Sequence, residues 1–237
     1  MVGIEHPRQR IFVALDMTDI GRAVELAHGL KGAVGGVKLG KEFFTAHGPD
    51  GVHRVTECGM PLFLDLKFHD IPNTVAGAIR ASLALNPFIV NVHAGGGRRM
   101  MWAAAEAANQ APAETRPNVI GVTVLTSMAR EDLAEVGVDE DPLEQVLRLG
   151  RLAKSSGLDG VVCSAKEVVA LRGSVGPDFM LVVPGIRPTW ASSDDQRRVV
   201  TPKDAIDLGA DYLVIGRPIT AHKDPLEAAR LIAEELS

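Results

Sequence analysis

The sequence predicts an α/β fold, a single (β/α)8 TIM barrel spanning residues 1–237, and three observations predict it. Short apolar runs alternate with amphipathic segments eight times. No linker or shift of composition interrupts the 237 residues, a length close to that of many single barrels. The first apolar run is not followed by G-x-G-x-x-G, which counts against an open, doubly wound dinucleotide fold.

The first strand is expected over residues 11–15, ending at Asp16, with Thr18 or Asp19 capping a helix that runs to Leu30. Residues 35–40 form the second, with Lys38 near its end, followed by a helix over 42–57. The third, 62–67, sets charges into an apolar run. Regular alternation puts Asp65 and Lys67 on one face and Leu64 and Leu66 on the other. Asp70 follows just before Ile71-Pro72, where proline stops a ladder and suits a first helical turn, and a helix is expected over 74–85.

The fourth strand covers 88–93, and Gly95-Gly96-Gly97 leads into a helix over 100–109. A fifth, β-branched strand over 118–125 ends at Thr126-Ser127, with a loop or short helix beyond it. Asp141-Pro142-Leu143-Glu144 combines an Asp cap, proline at the first helical position and a glutamate three residues after the cap, and Gly157 terminates that helix. Strands over 158–163, 179–183 and 212–215 and helices over 165–172 and 202–208 complete the alternation before Asp224-Pro225-Leu226-Glu227 repeats the cap signature. Residues 186–201 are polar, aperiodic and longer than a usual αβ connection, the pattern of a lid or binding loop.

A formal charge of -5 gives no overall positive field to draw in nucleic acid or anionic membrane. No run reaches membrane-spanning length, and residues 1–10 carry no apolar targeting core. Cys58 and Cys163 lie far apart in apolar settings and read as reduced, buried thiols, so the cytoplasm is the expected compartment.

In a barrel the loops after all strands gather at one mouth, which would bring together Asp16, Lys38, Asp65, Lys67, His93, Thr126 and Arg187. An isolated D-x-K could merely solvate a strand end, but three charges in six residues between apolar runs argue for more. The Gly216-Arg217-Pro218-Ile219-Thr220 stretch after the last strand offers backbone N–H groups and a guanidinium where barrels often hold phosphate; an ordinary turn with a solvated arginine is the plain alternative. No thiolate pair, H-E-x-x-H or P-loop occurs. A divalent metal at Asp65 and Asp70 is disfavoured by the Lys67 ammonium between them, and His69 and His93 read as hydrogen-bonding residues, so no metal is expected.

These residues resemble the orotidine 5'-phosphate decarboxylase family almost end to end. The resemblance rests on Ala14-Leu15-Asp16, Val37-Lys38-Leu39-Gly40, the run from Phe63 through Asp65, Lys67 and Asp70 to Thr74, Asn91-Val92-His93-Ala94, Leu125-Thr126-Ser127, Pro184-Gly185-Ile186-Arg187 and Gly216-Arg217-Pro218-Ile219-Thr220. The D-L-K-F-H-D-I-P-N-T string is the most specific element.

The resemblance implies cofactor-free removal of CO2 from orotidine 5'-phosphate to give UMP, in a homodimer. Lys38, Asp65, Lys67 and Asp70 would form the catalytic network, with Lys67 as proton donor and Asp70 reaching the partner's site. Ile71, Pro72, Asn73 and Thr74 fall in the substrate-binding run, and Asp16 and Thr74 would touch ribose. Thr126 would lie near the pyrimidine and phosphate end, while Arg187, Gln196, Gly216 and Arg217 would hold the nucleotide, chiefly its phosphate. Two rivals stand beside this reading: a metal-dependent sugar-phosphate decarboxylase or lyase on a related barrel, and a non-catalytic nucleotide-phosphate-binding barrel.

Overall fold

Parallel strands need crossovers, and eight apolar runs separated by helix-forming segments satisfy that need by closing on themselves. The computed structural model describes residues 5–191 and 200–236. Its strands are β1 (Ile11–Ala14), β2 (Gly36–Gly40), β3 (Leu62–Phe68), β4 (Ile89–His93), β5 (Asn118–Val122), β6 (Gly160–Val162), β7 (Met180–Pro184) and β8 (Tyr212–Ile215). They pair in parallel in sequence order, and β8 returns to β1 with Ile11 opposite Leu213 and Val13 opposite Ile215. The connecting helices are α1 (Ile20–Leu30), α2 (Lys41–Thr56), α3 (Pro72–Ser82), α4 (Gly97–Ala108), α5 (Arg130–Glu135), α6 (Pro142–Ser155), α7 (Val168–Val175), α8 (Pro202–Asp207), α9 (Arg217–Thr220) and α10 (Pro225–Glu235).

Alternation along the strands divides the core into two shells. Val13, Leu39, Leu64, Val90 and Val119 face the helices, whereas Phe12, Phe63, Ile89, Ile120, Met180 and Tyr212 fill the barrel interior. Phe12 stacks on Phe88 with centroids 6.0 Å apart and meets Tyr212 and Phe63 edge-on at 5.5 and 6.2 Å. These rings plug the interior below the polar mouth. Gly36 makes room for them: a Cβ there would come within 2.4 Å of the Phe12 ring and 2.5 Å of the Pro61 carbonyl oxygen.

The caps fall where expected. Asp19 accepts from the Arg22 N–H (3.0 Å), Asp141 from Leu143 (2.9 Å) and Asp224 from Glu227 (3.0 Å). Cys58 and Cys163 are free and buried.

Two expectations need correction. The helix over 42–57 is broken at Gly48, whose φ is +57°, because Pro49 lacks an N–H and disfavours α geometry in the residue before it. Strand β5 stops at Val122 rather than Leu125, since Thr123 turns its hydroxyl and N–H onto the Val162 carbonyl as the chain leaves the sheet. Directly after β8, residues 217–220 form a short helix with Pro218 in its first turn.

The opposite end of the barrel carries two matching clamps. Asp159 and Asp211 each precede a strand and accept the N–H of the neighbouring strand, from Val119 and Leu181 respectively, both at 2.7 Å. Arg116 pairs with the first at 3.1 Å and Arg172 with the second at 2.7 Å. Arg172 also donates to the carbonyls of Gly176, Pro177, Phe179 and Gly209. Replacing it strands a half-buried carboxylate and four carbonyls. Arg172→Met is therefore expected to destabilise the fold by about 3 kcal/mol in urea unfolding; a loss under about 0.5 kcal/mol would contradict the clamp.

Candidate active site

Strand register assembles the charged residues at the C-terminal mouth of the barrel. Ala14 lies opposite Lys38, and Gly40 lies opposite Asp65, so the first three strands present Asp16, Lys38, Asp65 and Lys67 side by side. The Lys38 ammonium reaches Asp16 Oδ1 at 2.8 Å and Asp65 Oδ2 at 3.1 Å, and the Lys67 ammonium reaches Asp65 Oδ1 at 2.6 Å. The result is one chain of alternating charge. Lys38 and Asp65 are buried, while Lys67 and then Asp16 lie progressively nearer solvent. Gly40 leaves room for it, since a Cβ there would sit 3.0 Å from Asp16 Oδ1 and 3.1 Å from Lys38 Nζ.

Asp65 and Lys67 do share the interior side, but plain alternation is only part of the reason. Leu64 lies opposite Val90 and Phe68 opposite Val92, so the ladder between β3 and β4 slips in the segment that carries both charges. Lys67 adopts φ +52°, a left-handed conformation uncommon outside glycine. The sequence reading missed Asn91, a fully buried residue that bonds both to Asp65 and to the Lys67 backbone. Its position on β4, two residues from His93 on the same face, was the available signal.

Mutual neutralisation keeps Lys38 and Asp65 ionised despite burial. Desolvation alone lowers the Lys38 pKa, but Asp65 and Asp16 outweigh it and raise the value above 10.5. Desolvation likewise pushes Asp65 up, and Lys38 and then Lys67 reverse this, holding it below 3.8. The Asp65 contribution to stability is thus present above its unfolded pKa and fades as pH falls through the lower folded value; that of Lys38 is present below 10.5 and fades as pH rises through the higher folded value. His93, half-buried against His69 with ring centroids 5.5 Å apart, is pushed down to about 4 by burial and then by His69, Lys41 and Lys67.

Asp70 does not join the array within this chain. It is exposed, and its Oδ1 accepts the Ile71 N–H at 2.6 Å. Ile71, Asn73 and Thr74 are exposed beside it, and Pro72 starts α3. Thr126 borders a cleft of about 550 Å³ with Ser164, Pro184 and Arg187. Arg187 also borders a second cleft of about 400 Å³ with Arg217, Trp190 and His222, so the guanidiniums expected to hold an anion do share one surface. The Trp190 and His222 rings meet edge-on at 5.5 Å, a contact the sequence reading did not anticipate. Gly216 precedes α9 at the end of β8, and Gln196 lies outside the described residues, as does half of the expected lid. Among the described residues no group of three or more His, Cys, Asp or Glu side chains is placed to hold a metal ion.

The sequence matches the family described as orotidine 5'-phosphate decarboxylase / HUMPS over residues 9–232. The chain belongs to this family. It is 56% identical over 230 residues to the orotidine 5'-phosphate decarboxylase of Rhodospirillum rubrum, covering 95% of this chain and 93% of that protein. Against the Moorella thermoacetica orotidine 5'-phosphate decarboxylase the identity is 51%, over 98% of this chain and 93% of the relative. The crystal structure of orotidine 5'-phosphate decarboxylase from Lactobacillus acidophilus superposes with a TM-score of 0.85 at 38% identity, covering 96% of this chain and 98% of the other. Members of the orotidine 5'-phosphate decarboxylase / HUMPS family thus share this chain's barrel along nearly its whole length.

The depressed His93 value carries a pH signature. Between about 6.5 and about 4 the unfolded chain binds a proton at His93 that the folded chain does not, so acidification through this window favours unfolding. His93→Gln is expected to lose less stability than the parent between pH 7 and pH 4.5 in urea titrations, and equal losses would contradict the assignment.

Proposed function

We propose that this chain decarboxylates orotidine 5'-phosphate to UMP, in the synthesis of pyrimidine nucleotides, without a metal or organic cofactor. The observation that carries the reading is the Asp16–Lys38–Asp65–Lys67 array at the barrel mouth. In the reaction the bond from pyrimidine C6 to the carboxylate breaks, its electron pair stays on C6, and CO2 departs. Ring resonance does not stabilise that sp2 carbanion well. An ammonium beside C6 offsets the developing charge and then transfers its proton there, leaving a neutral amine that solvent reprotonates.

Lys67 is the residue for this role, because it is the more exposed of the two ammoniums in the array and Asp65 holds it in place. Lys38 balances Asp65 from the other side. The same arrangement disfavours the metal-dependent rival: both Asp65 oxygens already face ammoniums, and a divalent cation would be repelled by two positive charges. All four network residues are present, which disfavours the non-catalytic rival.

The remaining residues take binding roles in this reading. Arg187 and Arg217 hold the phosphate across their shared cleft, joined by Gln196 and the backbone at Gly216. Thr126 lies toward the pyrimidine, and Asp16 and Thr74 toward ribose. The connection 186–201 serves as the lid, because residues at its described ends, Arg187 and Val200, border the cleft at Thr126. Phosphate is remote from the bond that breaks, yet its binding energy is available for closing the site against water.

The working unit is a homodimer in the cytoplasm. Asp70 is exposed, with its carboxylate on the Ile71 N–H, and Ile71 is 66% and Trp102 58% exposed, apolar area suited to a second copy that receives Asp70 into its site. Free, buried cysteines suit a reducing compartment, and among the described residues no helix is long and apolar enough to cross a membrane.

A mixing experiment tests both the catalytic and the shared-site roles. Lys67→Ala and Asp70→Ala proteins are each expected to be nearly inactive while still binding UMP. Co-refolded in equal amounts, they should recover about a quarter of parental turnover, because half of the dimers then hold one intact site. Full activity of Lys67→Ala would refute the donor role, and no recovery on mixing would refute the shared site.

A further inference from the structure

We infer that Asn91 is the positioning residue of this site: its carboxamide holds the Lys67 backbone in its left-handed conformation and at the same time steers the Asp65 carboxylate onto the Lys67 ammonium. The inference rests on the proposed reaction for its kinetic consequences, but not for its geometry.

Asn91 sits on the interior face of β4 between Ile89 and His93 and is 0% exposed. A carboxamide buried among apolar strands is costly unless both ends are bonded. Both ends are bonded here, to two different parts of the array. Its Nδ2 donates to Asp65 Oδ1 at 2.7 Å, and its Oδ1 accepts the Lys67 backbone N–H at 2.7 Å. The orientation is forced, because an ionised carboxylate needs a donor and a backbone N–H needs an acceptor.

The second bond explains how the irregular backbone survives. Where β3 and β4 slip out of register, Lys67 loses a regular ladder acceptor, and the Asn91 oxygen takes that place. A non-glycine residue at φ +52° is strained, and it persists only where its surroundings leave no easier choice. The first bond fixes the carboxylate. Asp65 Oδ1 receives both Lys67 Nζ and Asn91 Nδ2, while Oδ2 receives Lys38 Nζ, so the plane of the carboxylate cannot turn without breaking a bond to one of three residues. One side chain therefore sets both the root and the tip of the proton donor.

Asn91→Asp separates positioning from simple packing, because it keeps the shape and makes one of the two bonds depend on a proton. Protonated, the new carboxyl can donate to Asp65 and accept from Lys67; ionised, it can only accept, and it repels Asp65. The charged and titratable groups around it are Asp65 and Lys67 on β3, Lys38 on β2 and His93 on its own strand, and Ile120, opposite it on β5, carries none. Turnover of N91D is expected to stay within about tenfold of the parent at the acid end of the range and to fall about tenfold per pH unit above the new carboxyl's pKa, with KM little changed. N91A is expected to lose about a hundredfold in kcat at every pH, with KM within about threefold of the parent, and in its crystal structure Lys67 leaves the left-handed region.

If N91D follows the parent's pH profile, or N91A keeps the parental kcat, the inference is wrong. The Lys67 conformation in N91A is read without substrate. An unmoved Lys67 there overturns the inference whatever the turnover, whereas a parent protein inactive on orotidine 5'-phosphate overturns the proposed reaction instead.

Discussion

A carboxylate buried at the mouth of a hydrophobic barrel is the constraint on which the rest of this site depends. Asp65 is 8% exposed, and an isolated charge so placed would shift its pKa until it became neutral. It stays ionised because Lys38 and Lys67 approach its two oxygens from opposite sides and Asn91 adds a neutral donor. The arrangement is mutual. Lys38, equally buried, stays charged because Asp65 and Asp16 flank it. Removing one member of such a chain leaves a buried charge unbalanced, so the four groups stand or fall together.

Closure of the sheet makes that chain possible. Its members come from three successive strand ends, and parallel register brings them level. Below them Phe12, Phe63, Phe88 and Tyr212 fill the barrel, so the charges rest on an apolar floor that excludes water from beneath and sharpens every electrostatic contact above it. The clamps made by Arg116 and Arg172 hold strand starts at the far end, away from the chemistry. Stability and reactivity are thus assigned to opposite ends of the same strands.

Much of this was legible in the sequence, and the exceptions have physical causes. Short continuous apolar runs and the D-P-L-E caps are local signals, so strand order and helix starts followed directly, and β8 matches its expected limits of 212–215. Charges in an apolar run mark a site for the same reason that they are costly, which is how Asp65 and Lys67 stood out. The left-handed Lys67 did not stand out, because a β-bulge depends on the partner strand and no residue of 62–68 announces it. Asn91 stands in the Asn91-Val92-His93-Ala94 motif and shares a face with His93, but only the slipped register shows which backbone N–H its amide serves. The break at Gly48 follows from the Gly48-Pro49 pair inside an otherwise helical pattern. The contact of Trp190 with His222 joins loops after two different strands, and no spacing rule connects them.

The central claim is that the protein's own ammonium and carboxylate groups perform the decarboxylation. The most direct measurement follows the ultraviolet absorbance of orotidine 5'-phosphate mixed with the purified protein in EDTA. Steady conversion to UMP, undiminished by the chelator, is the expected result. No conversion, or conversion that appears only when Mg²⁺ is restored, would contradict it.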